Sequence, residues 1–368
     1  MSDPVVDVER VAGLIDADES RVTWAAELRA DAGEREVAAL LLENGKSHAL
    51  EKSNPLYDSW SRFLTARNSS GDPVYVESDP DTRLVRRVLA PIERHVMSIS
   101  PRAENKRLAV AFHMAPSMFY LEEGHPRFAD FIGDLVEGLR SGTPLLVTTD
   151  PTTHAILDVR GVRGGAPPQR LFESVISEEE SLDVFHKLAD FLTNGISGDA
   201  AAAEFGKLAG QPQIPFDYPD DCCYARAHEM CRIMRADGIQ PRKVWNYGHN
   251  WPREMNLRVE TKNHPDGYVR WLYHVAPIVA VQSDRGAAVD MVMDPALFNR
   301  PVPVNEWVTI QQDKTSLHEI TADIYFYRTP GNKNVLYDVD ASHPFDMTNT
   351  NQSLATHRYY RDLRKNGG

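Results

Sequence analysis

The stretch from 267 to 298, GYVRWLYHVAPIVAVQSDRGAAVDMVMDPALF, constrains the fold most. Both halves are rich in β-branched and aromatic residues, and QSDRG between them reads as a turn. The pattern predicts an antiparallel hairpin. If Val281 faces Ala287, His274 stands directly opposite Asp294. Opposed residues share a face, with Cβ atoms about 5 Å apart. An imidazole and a carboxylate are thus expected within hydrogen-bonding reach on otherwise apolar strands. Such a pair is either a satisfied structural contact or part of a catalytic arrangement in which the carboxylate orients the imidazole.

A partner for that imidazole stands upstream. The chain's three cysteines, Cys222, Cys223 and Cys231, lie within ten residues. A disulfide framework staples distant segments, so reduced thiols and a cytoplasmic protein are expected. Adjacent cysteines with a third eight positions on match no common zinc spacing, and neither metal nor organic cofactor is expected. In DYPDDCCYARAHEMCRIMRADG (217–238), Asp221 is predicted to cap a helix that stops at Gly238, with Cys222 and Cys223 in its first turn. Unpaired N–H groups and the helix dipole there favour a thiolate and can hold an oxyanion. Two small buried side chains would fit the same address. His228 falls about 140° round the helix from Cys223 and reads as structural. Cys231 reads as core. His249 belongs to a loop flanking the cleft, and Trp271 and Tyr273 are expected on the sheet face opposite His274.

Composition narrows the partners. The 53 acidic residues exceed the 40 Lys and Arg, giving a net charge of −13. That argues against nucleic acid or an anionic membrane as partner. The first residues lack the basic patch and apolar run of a secretory signal, and no stretch has membrane-spanning length. The length suits two domains, or one domain with a large extension. Along the chain, residues 5–45 read as helices, 66–73 as a loop, 107–115 as a strand and 125–142 as a capped helix. Residues 143–162 read as a hairpin turning at DPTT, 164–169 as a breaker and 181–195 as an amphipathic helix. Residues 195–215 mix Gly, Ala and Pro and keep a flexible tether open.

YPDDCCYARAHEM, WLYHVAPIV and DPALF, in that order, resemble the bacterial protein-glutaminase family, and the resemblance runs over about 212–365 through NEWVTI and IYFYRTPGNKNVLYD. It implies an α+β fold: a papain- and transglutaminase-like catalytic domain, with a nucleophile helix on an antiparallel sheet. It implies Cys223, immediately before Tyr224, as nucleophile, His274 as base and Asp294 as its orienting carboxylate. Cys222 stands where the family has Gly, the family's disulfides are absent, and residues 256–267 form an insertion. Residues 171–192 resemble the junction to the family's inhibitory pro-region. The expected organisation is therefore an N-terminal α/β domain over 1–170, bordering the cleft. A connecting helix and linker over 171–211 and a catalytic domain over 212–368 follow. The expected activity is deamidation of glutamine side chains in a protein or peptide through a thioester. The alternatives are acyl transfer or cyclisation on a small-molecule or carrier-bound acyl group, and a toxin-like effector deamidase.

Overall fold

Val5, Val6 and Val8 favour extended backbone, and the chain begins as a strand, β1 (Val5–Asp16), rather than the expected helix. Hydrogen bonding on both of its edges overrides the helical spacing of its apolar residues. The computed structural model describes residues 4–16, 35–102, 107–162, 195–283, 288–322, 324, 327–331, 333–335 and 348–366. The strands β2 (Val37–Leu42), β3 (Ser47–Glu51), β4 (Pro73–Ser78) and β5 (Val85–Leu89) complete an antiparallel sheet in the order β3-β2-β1-β4-β5. A helix, α1 (Tyr57–Ser70), packs on it through Trp60, Phe63 and Leu64. It runs on through residues 66–70, where a loop is expected, and stops at Gly71 with φ 73°, a left-handed cap that suits glycine.

Two further antiparallel sheets follow. One is β7 (Val96–Arg102), β8 (Arg107–Phe112) and β9 (Met118–Glu122); the other joins β6 (Ile92–Arg94), β10 (Leu145–Thr149) and β11 (Ile156–Gly161). Helix α2 (Phe128–Ser141) lies between them in sequence and ends at Gly142, φ 71°, as its terminator predicts. The β10–β11 hairpin pairs Leu146 with Arg160, as expected around DPTT. All these ladders are antiparallel, so the N-terminal part is α+β in character, not the expected α/β.

Helix α3 (Gly198–Ala209) occupies the expected tether. Ser197 caps it, its Oγ accepting from Ala200 N at 3.2 Å, and Ala201, Phe205 and Leu208 bury one face against the next helix, α4 (Cys223–Ala236). Alanine-rich sequence with a good cap folds as helix once it has an apolar face to bury. The expected helix at 181–195 lies outside the described residues up to 194, as do the breaker at 164–169 and the junction at 171–192.

The remaining elements build the sheet that carries the site. They are β12 (Arg242–Tyr247), the ribbon β13 (Leu257–Glu260) with β14 (Tyr268–Trp271), then β15 (Tyr273–Gln282), β16 (Ala288–Val292) and β17 (Val302–Pro303). Helix α5 (Val304–Ile310), β18 (Leu317–Thr321), the ribbon β19 (Tyr327–Thr329) with β20 (Lys333–Val335), and α6 (Thr348–Lys365) follow. The sheet order is β17-β16-β15-β12-β18, all antiparallel, with α4 packed on β15. Helix α6 returns to the N-terminal sheet. Tyr359 stacks on Phe63 at 3.9 Å, and Tyr360 Oη donates to Ala90 O at 2.9 Å. No helix among the described residues is long and apolar enough to cross a membrane.

Candidate active site

The hairpin forms, with its register moved two residues from the expected one: Val281 faces Val289, and Ala287 lies outside the described residues. A shift of two leaves every side chain on its expected face, because strand side chains alternate with period two. His274 and Asp294 still meet, although Asp294 lies two residues past the end of β16. His274 Nε2 lies 2.8 Å from Asp294 Oδ2, and both are buried. Trp307, on α5, donates its indole N–H to the same oxygen at 2.8 Å. Burial pushes the Asp294 carboxyl up, but its interactions with His274 and the Trp307 indole outweigh it and hold Asp294 below the usual carboxylate range. An ionised Asp294 accepts from Nε2–H, which leaves Nδ1 as the imidazole's lone pair. That atom is buried and has no hydrogen-bond partner.

The ring is clamped by aromatics. Trp271 stacks on it at 4.4 Å and 12°, Trp307 at 5.4 Å and 24°. The expectation that Trp271 packs on the opposite face fails because the strand breaks at Leu272, between β14 and β15, and alternation does not carry across a break. Tyr273 does face away from His274, into the cluster that holds Cys223.

At the start of α4, Cys222 rather than Asp221 is the capping residue. Its φ is 77°, a left-handed conformation that glycine adopts without strain and a cysteine does not. Asp221 turns inward instead. It accepts from Cys222 N, pairs with Arg94 at 2.9 Å and faces His357 Nε2 at 3.6 Å. Its neighbour Asp220 lies 2.8 Å from Arg364, 3.1 Å from His264 and 3.4 Å from His154. The two aspartates thus tie the helix start to the N-terminal part, the insertion and α6.

Cys223 is the first residue of the helix and is 2% exposed. It shares an apolar cluster with Tyr273, Val275, Trp245 and Tyr327, and with Ala109, Ala111 and Met118 from the N-terminal part. Burial pushes its thiol up to about 12, against the Arg226 charge and a hydrogen bond from Val275 N–H, both of which lower it. Val275, whose N–H donates to Cys223, follows His274 on β15, but successive strand side chains alternate faces: Cys223 packs with Tyr273 and Val275, His274 points to the other face, and no hydrogen bond joins the thiol to the imidazole. A loop at 114–116 is tied to the start of β15 beside the cluster that holds Cys223. Met114 O accepts from Tyr273 Oη at 2.6 Å, and Pro116 O accepts from Leu272 N at 2.6 Å. Met114 holds φ 65°, a strained value for its side chain. A cavity of about 870 Å³ lies between the two parts, lined by Arg94, His113, Tyr224, His228 and His357 among others, and not by Cys223.

Cys222 and Cys231 are fully buried, and all three thiols are free. Cys231 sits in the core as expected, and His228 is buried beside the cavity. Cys222 has polar company that the sequence does not announce: Ser353 Oγ at 3.8 Å, itself 3.0 Å from Tyr224 Oη, and the imidazole of His357. Trp307, Arg226 and the Met114 loop are also absent from a reading of the motifs. Of these only Arg226 carried a signal, a charged residue three positions after the cysteine on the same helical face. Among the described residues no group of three or more His, Cys, Asp or Glu is arranged to hold a metal ion.

The structure joins His274 to Asp294 and starts a helix at Cys223, without a hydrogen bond between the thiol and the imidazole. Residues 183–311, which contain all three, match the family model described as Glutaminase, Gln_deamidase_2, and the chain is related to the protein-glutaminases through that segment. Among solved structures, pro-protein-glutaminase is 23% identical, with 72% of this chain and 90% of that chain covered and a TM-score of 0.47. The NMR structure of protein-glutaminase from Chryseobacterium proteolyticum is 26% identical over 44% of this chain and 86% of that one, with a TM-score of 0.36. No curated protein matches the chain.

Proposed function

We propose that the chain is a cysteine-dependent amidohydrolase that deamidates glutamine side chains in a protein or peptide. The observation that carries this reading is the buried 2.8 Å His274–Asp294 bond in the segment that matches the glutaminase family, beside a helix that starts at Cys223. Asp294 fixes the imidazole with its proton on Nε2. Nδ1 takes the proton of Cys223, whose sulfur attacks the carbonyl carbon of the glutamine amide. The resulting oxyanion faces the free N–H groups of the first turn of α4. Its collapse expels ammonia, protonated by the imidazolium, and leaves a thioester. Water, deprotonated by Nδ1, hydrolyses the thioester and leaves glutamate.

This sequence requires Cys223 and Nδ1 to approach, and active-site hydrogen bonds often tighten only when substrate is bound. It also requires the packing around the thiol, the Met114 loop included, to move, because a thiol 2% exposed admits no polypeptide. The N-terminal part therefore governs entry to the cleft. Acyl transfer to an amine instead of water uses the same residues; the buried thiol, closed to bulky substrates, favours it as the second reading. Ammonia release from casein and from short glutamine peptides tests the proposal, with the product's gain of about 1 Da on conversion of amide to acid read by mass. Release that persists unchanged in Cys223→Ala rejects it. Transfer of an acyl group to an added amine without ammonia release from any glutamine peptide moves the assignment to the second reading.

A further inference from the structure

Arg226 is a buried cation whose position its own hydrogen bonds leave unexplained. It lies three residues after Cys223 on α4 and is 2% exposed. One terminal nitrogen, Nη1, donates to Tyr218 O and Asp221 O, both at 2.9 Å. Those bonds pin the guanidinium under the turn that leads into the nucleophile, since Asp221 is two residues before Cys223. The other terminal nitrogen, Nη2, is buried without a hydrogen-bond partner. A buried charged donor with no acceptor is destabilising, and such a group in a native protein calls for an explanation: strain, a bound water or ion, or a catalytic role.

Charge does develop next to it. Around the Cys223 sulfur stand Asp221 and Cys222 from the preceding turn, Tyr273 and the Val275 N–H from β15, and Tyr327 from β19. The carboxylate of Asp221 opposes a thiolate, and none of the others is a cation. Arg226 is the cation that favours the anion, and it also acts on Asp294 across the site. Lysine or arginine beside a thiol is one of the recognised ways of making it nucleophilic.

We propose that Arg226 is a positioning residue for the reaction, its guanidinium holding the negative charge that forms on Cys223 when the thiol proton passes to His274 Nδ1. This rests on the reading of Cys223 as nucleophile. Nη1 sets the guanidinium in place, and Nη2 is the donor left over to meet the anion beside the Val275 N–H that the sulfur already accepts from. Lysine keeps the charge. Glutamine keeps an amide donor for the backbone carbonyls and removes the charge.

The test is the rate at which iodoacetamide, a small neutral reagent, alkylates Cys223 in the full chain at a fixed pH near 8, read from the mass of the Cys223 peptide. Thiolate displaces iodide, so the rate follows the thiolate fraction. Arg226→Gln is expected to slow it by about tenfold, the equivalent of one pKa unit, and Arg226→Lys to stay within about threefold. A purely structural role predicts the opposite sign, because loosening the turn exposes the thiol and speeds alkylation. The proposal is overturned by an unchanged or faster rate in Arg226→Gln, by equal slowing in Arg226→Lys, or by loss of fold in both, which would assign Arg226 to the framework. Failure of the deamidation reading shows separately, as ammonia release that survives Cys223→Ala whatever the Arg226 variants do.

Discussion

The two sides of the candidate site are finished to different degrees. On the sheet, His274 has its carboxylate, Asp294 has its indole donor, and two tryptophans fix the ring. On the helix, the Cys223 thiol is pushed up by burial, lies beside a strained loop and makes no bond to the imidazole. In the proposed reaction, the base is already oriented and the nucleophile is buried. A polar group that must stay oriented through a reaction benefits from every bond it can make. A buried, protonated thiol is unreactive, so Cys223 needs a change in its surroundings before it can attack.

Disrupting the finished side should have the largest effect. Asp294→Asn keeps the shape and, with Trp307 N–H holding its amide oxygen towards Nε2, keeps the tautomer, but it removes the negative charge that stabilises the imidazolium. Activity should fall by about 10⁴-fold, with the folded state intact by circular dichroism. Retention of more than a tenth of the activity would show that Asp294 is structural only. Releasing the buried side should act in the other direction. Ala115, fully buried in the loop at 114–116, becomes an unpaired buried carboxylate in Ala115→Asp. The loop should leave its seat, and Cys223 alkylation should rise by about tenfold or more, because burying an unpaired charge costs several kcal/mol. An unchanged rate would mean that the loop does not limit access.

Trp307→Phe sharpens the comparison more gently. It removes one donor to Asp294 and leaves the His274 bond. A hydrogen bond to a charged group contributes about 1.5–3 kcal/mol, so kcat should fall by about ten- to a hundredfold with KM little changed. A change confined to KM would place Trp307 in substrate binding instead.

The smallest effect concerns the ties at the helix start. Burial lowers His357, but Cys222 and Asp221 more than offset this and raise it to about 10. Its folded value lies above the unfolded one, so its stabilisation is fully present below the ordinary histidine range, about 6.5, and is lost as pH rises towards the folded value. Asp220 and Asp221 are held below the usual range despite burial, and their contribution is lost only in acid. Between pH 7 and 10, hydrogen exchange in residues 350–362, corrected for its intrinsic pH dependence, should therefore quicken, and His357→Gln should remove that dependence. A flat profile in the wild-type chain would place the clamp elsewhere.

What the sequence revealed follows the range of each interaction. The His274–Asp294 contact was legible from the hairpin, although the register is two residues off and Asp294 lies two residues past the end of β16, where the chain still returns it to His274. The α4 helix and its stop at Gly238 were legible from local chemistry, yet the role of Asp221 was not, since Arg94 and His357 reach it from distant segments. The strand β1 reads as helix in isolation and is extended only because β2 and β4 flank it. Trp307, the Met114 loop and the unpaired Nη2 of Arg226 are products of tertiary packing, and no spacing along the chain encodes them.

The central claim is that Cys223, and not its neighbour Cys222, attacks the glutamine amide. Ammonia release from a glutamine peptide should be measured for the full-length chain, Cys222→Ala and Cys223→Ala side by side, with folding checked for each. Cys222→Ala should keep activity within about tenfold, allowing for its capping position, while Cys223→Ala should lose it by about 10⁴-fold or more, as removal of a nucleophile does. Full activity in Cys223→Ala, or its selective loss in Cys222→Ala with His357 as the nearby base, would contradict the account.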